Sequence, residues 1–228
     1  SHSMPHSIRF WVSLLMNTEN SMKEFDYIVE QFADLQILRY RVPSFEELTL
    51  EQKKLVYYLS EAALEGRDIL FDQNGNFNLK IRKTLEAVYT DYTGNRNSSD
   101  FMAFEVYLKR VWFSSGIHHH YSTDKFLPDF TESFLENAVK SVDASSLPLE
   151  KGQSVEELCN EIFPVIFNAD ILQKRVNQAD GEDLVVTSAS NYYVGVTQKE
   201  AEDFYSSMKS QDDDCPVMFG MNSRLVKE

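Results

Sequence analysis

The feature that most constrains the fold is an apolar helical stripe that stops at a fixed point and gives way to a polar, aromatic-rich loop. Phe101, Phe104, Tyr107, Leu108, Val111 and Trp112 recur at helical spacing. Ser114-Ser115-Gly116 then interrupts the pattern, with Gly116 able to take the left-handed conformation that closes a helix. The continuation, Ile117-His-His-His-Tyr-Ser-Thr-Asp-Lys-Phe126, is a loop held by a helix end, a usual position for functional groups. Adjacent residues diverge by about 100° on a helix and point to opposite faces on a strand. At most His118 and His120 could therefore approach one ion, and a zinc site needs at least one further ligand. The other histidines, His2 and His6, lie near the start of the chain, and neither Cys159 nor Cys215 has a ligand-like neighbour. The three adjacent histidines are accordingly read as packing and hydrogen-bonding groups beside a cleft, with no metal expected.

Composition sets the outer limits. The 228 residues are 43% hydrophobic and 13% aromatic, enough for a real core. A formal charge of −14 argues against nucleic acid and against an anionic membrane as partners, because both need a basic surface. It suits a cationic ligand such as the free amino end of a peptide. Two distant cysteines make no disulfide framework. The apolar run from Ile8 to Met16 is too short for a membrane span. Ser1-His2-Ser3 before Met4 reads as the remnant of an expression tag, and residues 1–24 as a disordered extension.

Along the chain, Phe25, Ile28, Val29, Phe32 and Leu35 follow helical spacing, and Pro43 ends that unit. Ser44-Phe-Glu-Glu47 has the form of a capping box. Thr49 heads a helix whose buried stripe would be Leu55, Tyr58, Leu59 and Ala62, closed by Gly66. Asp72 to Asn76 reads as a turn, and Leu79 to Tyr92 as a further helix. The helix leading to the histidines is capped within Asn97–Asp100, and another follows Thr131 through about Val142. Ser154-Val-Glu-Glu157 caps a helix to Phe167 that Pro164 should kink or end early. Leu184-Val-Val-Thr187 has strand texture, Thr197-Gln-Lys-Glu200 caps a last helix, and Pro216–Val226 reads as a strand or a broken pair. The expected fold is mainly α: a helical array with a small β element near the C-terminus. An unpaired strand at Pro216–Val226 would be expected either to dimerise with a second copy or to fold back on Leu184–Thr187.

Several separate stretches resemble one enzyme family. Phe32-Ala-Asp-Leu-Gln-Ile-Leu-Arg-Tyr40, Tyr57-Tyr-Leu-Ser-Glu-Ala-Ala-Leu64, Gly66-Arg-Asp-Ile-Leu-Phe-Asp-Gln73, Val111–Tyr121, Asn191-Tyr-Tyr-Val-Gly195 and Asn222–Glu228 are similar to the N-terminal portion of dipeptidyl peptidase III, in its bacterial, Bacteroides-like branch. The resemblance covers about Phe25 to the end. It implies a two-lobed zinc exopeptidase that removes dipeptides from peptide N-termini, with residues 25–228 forming the first part of the lower, non-zinc lobe. In the family the zinc is held by the histidines of an H-E-x-x-G-H motif and a distal Glu, and the motif Glu acts as general base. None of the five histidines here is followed by Glu, so that motif is absent. The resemblance therefore implies no catalytic residue and no metal ligand in this chain, with zinc belonging to the rest of the enzyme.

It does imply substrate contacts. An aromatic stands in the family where Tyr121 stands, in a loop bordering the cleft between the lobes. Tyr121 is the expected peptide contact, with His120 beside it, and Asn191 and Tyr192 are further candidates. An Asx-turn that merely packs the aromatics of Asn191-Tyr-Tyr193 is an equal reading of that stretch. The expected partners are short peptides with free N-termini and the remainder of the enzyme including its zinc lobe, with a second copy through the C-terminal strand as a further candidate. The alternative is a stand-alone module, derived from that family, that binds peptides or proteins without cleaving them. The expected compartment is the cytoplasm, with a periplasmic or lipoprotein-anchored parent left open.

Overall fold

The computed structural model describes residues 25–209 and 223–228. They are mainly helical with small β elements. They divide into two units, one up to Lys53 and one from Lys54 onward.

The first unit carries a hairpin, β1 (Ile28–Phe32) and β2 (Leu35–Leu38), paired antiparallel with Phe32 opposite Leu35. This corrects the helical reading of Phe25 to Leu35. The two-residue link Ala33-Asp34 makes the turn, with Ala33 in the left-handed region at φ 48°. Ile28, Val29, Phe32 and Ile37 are residues that favour an extended backbone. Only Leu35 of the hairpin is buried. Phe45–Glu47 forms a single 3-10 turn that Ser44 does not cap through its side chain, so the capping box expected there is absent.

Helix α1 (Leu50–Glu65) begins where Thr49 predicts. The Thr49 hydroxyl accepts from the Gln52 N–H at 3.3 Å, and the Gln52 side chain accepts from the Thr49 N–H at 2.9 Å. Its apolar stripe is not buried, contrary to the sequence expectation. Leu55, Tyr58 and Leu59 are 58%, 68% and 60% exposed, and Ala62 is exposed too. Helical spacing lines these side chains up, but burial also needs an element to cover them, and no residue of α1 is buried. After Gly66, α2 (Arg67–Asn74) takes up part of the predicted 72–76 turn, which begins only at Gly75.

The core of the second unit lies among α3 (Asn78–Asp91), α4 (Ser99–Ser114), α5 (Glu132–Ser141) and α6 (Val155–Phe167). Ile81, Leu85 and Val88 of α3 meet Phe104, Leu108 and Val111 of α4, Leu135 and Val139 of α5, and Leu158, Ile162 and Ile166 of α6, all fully enclosed. An aromatic chain runs through it, with Phe130 edge-on to Phe104 at 5.7 Å and to Phe167 at 5.8 Å. The predicted caps form: Ser98, Thr131 and Ser154 each accept from a first-turn N–H, and Glu157 completes the box at Ser154. Pro164 does not end α6 early. It sits on the exposed face, and Asn160, whose carbonyl it leaves without a helical donor, is exposed as well.

Beyond α6 the chain is ordered by side chains more than by regular structure. Leu184–Thr187 is a turn rather than the expected strand, wound on the Asp183 carboxylate, which accepts from the Val185 and Val186 N–H groups at 2.9 Å each. The same carboxylate accepts from the Gln198 N–H at the start of α7 (Gln198–Met208). Helix α7 carries its full predicted capping box at Thr197 and Glu200. The short strand β3 (Tyr193–Val194) pairs in parallel with β4 (Leu225–Val226), so the described part of the last segment folds back on Tyr193–Val194 and not on Leu184–Thr187. The expected Val217–Met221 strand and the 1–24 extension lie outside the described residues.

The closure of α4 uses two residues where the sequence suggested one. Ser115 adopts the left-handed conformation (φ 51°, ψ 42°), and Gly116 follows at φ 149°, with its N–H bonded to the Val111 carbonyl. A Cβ on Gly116 would lie 2.4 Å from the amide nitrogen of Asn78. Gly116→Ala is expected to cost about 2 kcal/mol through this clash and the backbone conformation. Urea unfolding of the variant against wild type measures it.

Candidate functional site

Everything about the histidine loop follows from how its two ends are held. Asn74 donates to the Ser115 carbonyl at 3.0 Å, and Asn78 accepts from the Ile117 N–H at 3.3 Å, which fixes the end of α4 to the corner between α2 and α3. Ile117 and His118 are then buried, at 1% and 2% exposure. His118 Nε2 lies 2.7 Å from the Leu172 carbonyl, which can only accept, so Nε2 carries the proton. Its Nδ1 is buried without a hydrogen-bond partner. Burial pulls the His118 pKa down to about 4, with Lys125 and Arg175 adding to that fall against the Leu172 bond, so the ring is neutral.

The far end of the loop is held by Lys125. Its ammonium donates to the carbonyls of Val165 (3.0 Å), Asn168 and Ile171 (2.5 Å), where α6 ends. Those carbonyls have no helical donors of their own, and a cation there complements the helix dipole. Partial burial pulls the Lys125 pKa down, and Asp170 opposes this. Backbone bonds link the loop to residues 173–176: Lys125 N–H to Gln173 and Arg175 N–H to Thr123, both at 2.9 Å.

Between these anchors the loop turns tightly. His119 Nδ1 accepts from the N–H groups of Tyr121 (3.2 Å) and Ser122 (3.1 Å), and Thr123 adopts a left-handed φ of 62°. The His120 ring lies edge-on to Phe113 at 4.8 Å, and Arg175 donates to the His120 carbonyl. Tyr121 projects at the apex, 88% exposed. Of the three histidines, His118 is structural, His119 organises the turn, and His120 is exposed beside Tyr121.

Asn191 and Tyr192 lie elsewhere. They border an open cleft of about 560 Å³ lined also by Asp72, Gln73, Leu79 and Arg224, with neither His120 nor Tyr121 among its lining residues. The Asn191 N–H donates to the Gln73 carbonyl at 2.8 Å, and the Tyr192 hydroxyl to the Gln73 side chain at 3.3 Å. The four predicted residues thus form two pairs in different settings. Asp72, Gln73 and Arg224 were not singled out from the sequence, because residues 119 to 152 positions apart meet here with no shared motif.

Deeper, Arg82 is buried over the Phe71 ring at 4.6 Å and bonds Asp68 at 2.7 Å, while Trp112 donates to Glu86 at 2.8 Å. Partial burial raises the Asp68 pKa, but the Arg82 bond and the charges of Arg82 and Lys83 hold it below the usual carboxylate value. Among the described residues, no three His, Cys, Asp or Glu side chains are grouped to hold a metal ion. Among the same residues no helix is long and apolar enough to cross a membrane.

No family model matches the chain, and no curated protein matches it.

The depressed His118 pKa makes stability depend on pH. The unfolded chain takes up a proton near pH 6.5, while the native ring stays neutral until about pH 4. The His118 contribution is therefore complete above about pH 6.5 and is lost as pH falls toward 4, by up to about 3 kcal/mol. His118→Gln is expected to be less stable at neutral pH, with a flatter stability profile between pH 6.5 and 4. Urea melts across that range check it.

Proposed function

We propose that this chain is the peptide-cleft-lining portion of the lower lobe of a zinc-dependent dipeptidyl peptidase, one that removes dipeptides from peptide N-termini. The observation that carries the reading is Tyr121. It is almost wholly exposed, yet it stands on a loop fixed at one end by His118 and at the other by Lys125. An exposed tyrosine on a rigid support offers a large apolar face and one hydroxyl to a ligand at small entropic cost. His120 presents a second ring beside it. The charge of −14 favours approach of a cationic peptide end.

On this reading the chain positions substrate and performs no chemistry, because H-E-x-x-G-H is absent from it. Zinc, its ligands and the general base belong to the remainder of the enzyme, which is the first proposed partner. A second copy, pairing through the segment Pro216–Val226, is another. The compartment proposed is the cytoplasm. The alternative, a stand-alone peptide- or protein-binding module, draws support from α1, where Leu55, Val56, Tyr57, Tyr58 and Leu59 are all exposed and suit cover by another protein surface.

Titration with a short peptide bearing a free N-terminus tests the reading. Tyr121→Ala should weaken binding about tenfold, the worth of one aromatic contact, with no measurable loss of thermal stability. Peptide binding unchanged by the substitution would overturn the role of Tyr121. The purified chain should also carry no stoichiometric zinc and leave an arginyl-arginyl chromogenic substrate intact. One tightly held zinc accompanied by turnover would overturn the proposal.

A further inference from the structure

The cleft beside Asn191 and Tyr192 holds a charge arrangement that the peptidase reading does not use. Asp72 and Arg224 face each other across it at 3.5 Å, both still close to half exposed. Asn191 also donates to Asp72, at a long 3.4 Å, and Arg224 Nε donates to the Asn191 carbonyl at 3.2 Å. Nearby, the Arg82–Asp68 pair closes to 2.7 Å, so the fold can make a tight ion pair where the geometry suits it. An exposed, loosely closed pair contributes little to stability and is readily re-paired by a ligand. The lining also includes Asp68 and Ser223, with an apolar part made by Ile69 and Val226, 42% and 52% exposed, and Leu79.

We propose that this cleft binds a free α-amino acid with an apolar side chain, as its zwitterion. In such a molecule the ammonium nitrogen and the carboxyl carbon are about 2.5 Å apart. That spacing lets the ligand lie head to tail against an adjacent Asp–Arg pair, its ammonium on Asp72 and its carboxylate on the Arg224 fork. The Asn191 amide and the Tyr192 hydroxyl add polar contacts, and the side chain covers Ile69, Leu79 and Val226. Ligands lacking either charge leave one protein charge facing an unpaired group. A peptide is a poorer match because its ammonium and carboxylate lie farther apart. The site shares Asn191 and Tyr192 with the residues expected to contact a peptide, but neither Tyr121, which carries the peptidase reading, nor His120 borders it.

Amide-resolved NMR titration of the whole chain with L-leucine tests it. Saturable shifts are expected at Gln73, Asn191, Tyr192 and Arg224, in the millimolar range typical of so small a ligand. L-leucinamide, lacking the carboxylate, and N-acetyl-L-leucine, lacking the ammonium, should each bind about tenfold more weakly, as should L-leucine to Arg224→Gln and Asp72→Asn. The two analogues probe unaltered protein, so the result stands even if a variant loosens the fold. Absence of saturable shifts overturns the proposal, as does equal binding of the three ligands. Shifts confined to His120 and Tyr121 also overturn it and leave the peptide reading untouched.

Discussion

The arrangement rests on the contact between Asn78 and Gly116. The Asn78 side chain occupies the space where any larger residue at 116 would project, and it accepts the Ile117 N–H as the chain leaves α4. Asn74, one turn earlier, donates to the Ser115 carbonyl. Two asparagines at one helix corner therefore set the direction in which the histidine loop departs. Without a defined exit, His118 would not reach the Leu172 carbonyl, and the loop would have no buried anchor.

From that exit the loop is built as a clamp around its exposed apex. His118 is buried, neutral and bonded to a backbone carbonyl, and Lys125 is bonded to three carbonyls at the end of α6. Both groups spend polar capacity on backbone carbonyls at and beyond the end of α6. The segment between them is short, turned back by His119, and leaves Tyr121 outside. The base of the loop is thereby tied down by several hydrogen bonds while its apex is exposed.

Side chains also organise the region between α6 and α7. The Asp183 carboxylate gathers the Val185, Val186 and Gln198 N–H groups, and these bonds hold its pKa below the usual carboxylate value. Lys227 reaches the Glu200 carboxylate at 2.5 Å and, with Thr197, brings its pKa down to about 2. The capping box of α7 is thereby tied to the residue that follows β4. Just before β4, Arg224 bonds the Asn191 carbonyl at 3.2 Å and lies beside Asp72 at the cleft.

Local rules made much of this legible in advance. The helices α3 to α7, their capping residues at Ser98, Thr131, Ser154 and Thr197, and the core face of α4 all follow from spacing and side-chain chemistry over a few residues. Tyr121, singled out by resemblance alone, is 88% exposed. What the sequence could not settle is whatever depends on a neighbour distant in the chain. Phe25 to Leu35 satisfies helical spacing and strand propensity alike, and the Ala33-Asp34 turn resolves it as a hairpin. The stripe of α1 has the pattern of a buried face yet stays exposed, because a pattern aligns side chains without supplying their cover. Likewise Leu184–Thr187 has β-branched residues but lies on Asp183, whose hydrogen bonds are stronger than a four-residue preference for extended backbone. Tertiary structure decided that Asn191 and Tyr192 border a cleft that His120 and Tyr121 do not. Periodicity records local geometry, whereas burial and convergence are properties of the packed chain.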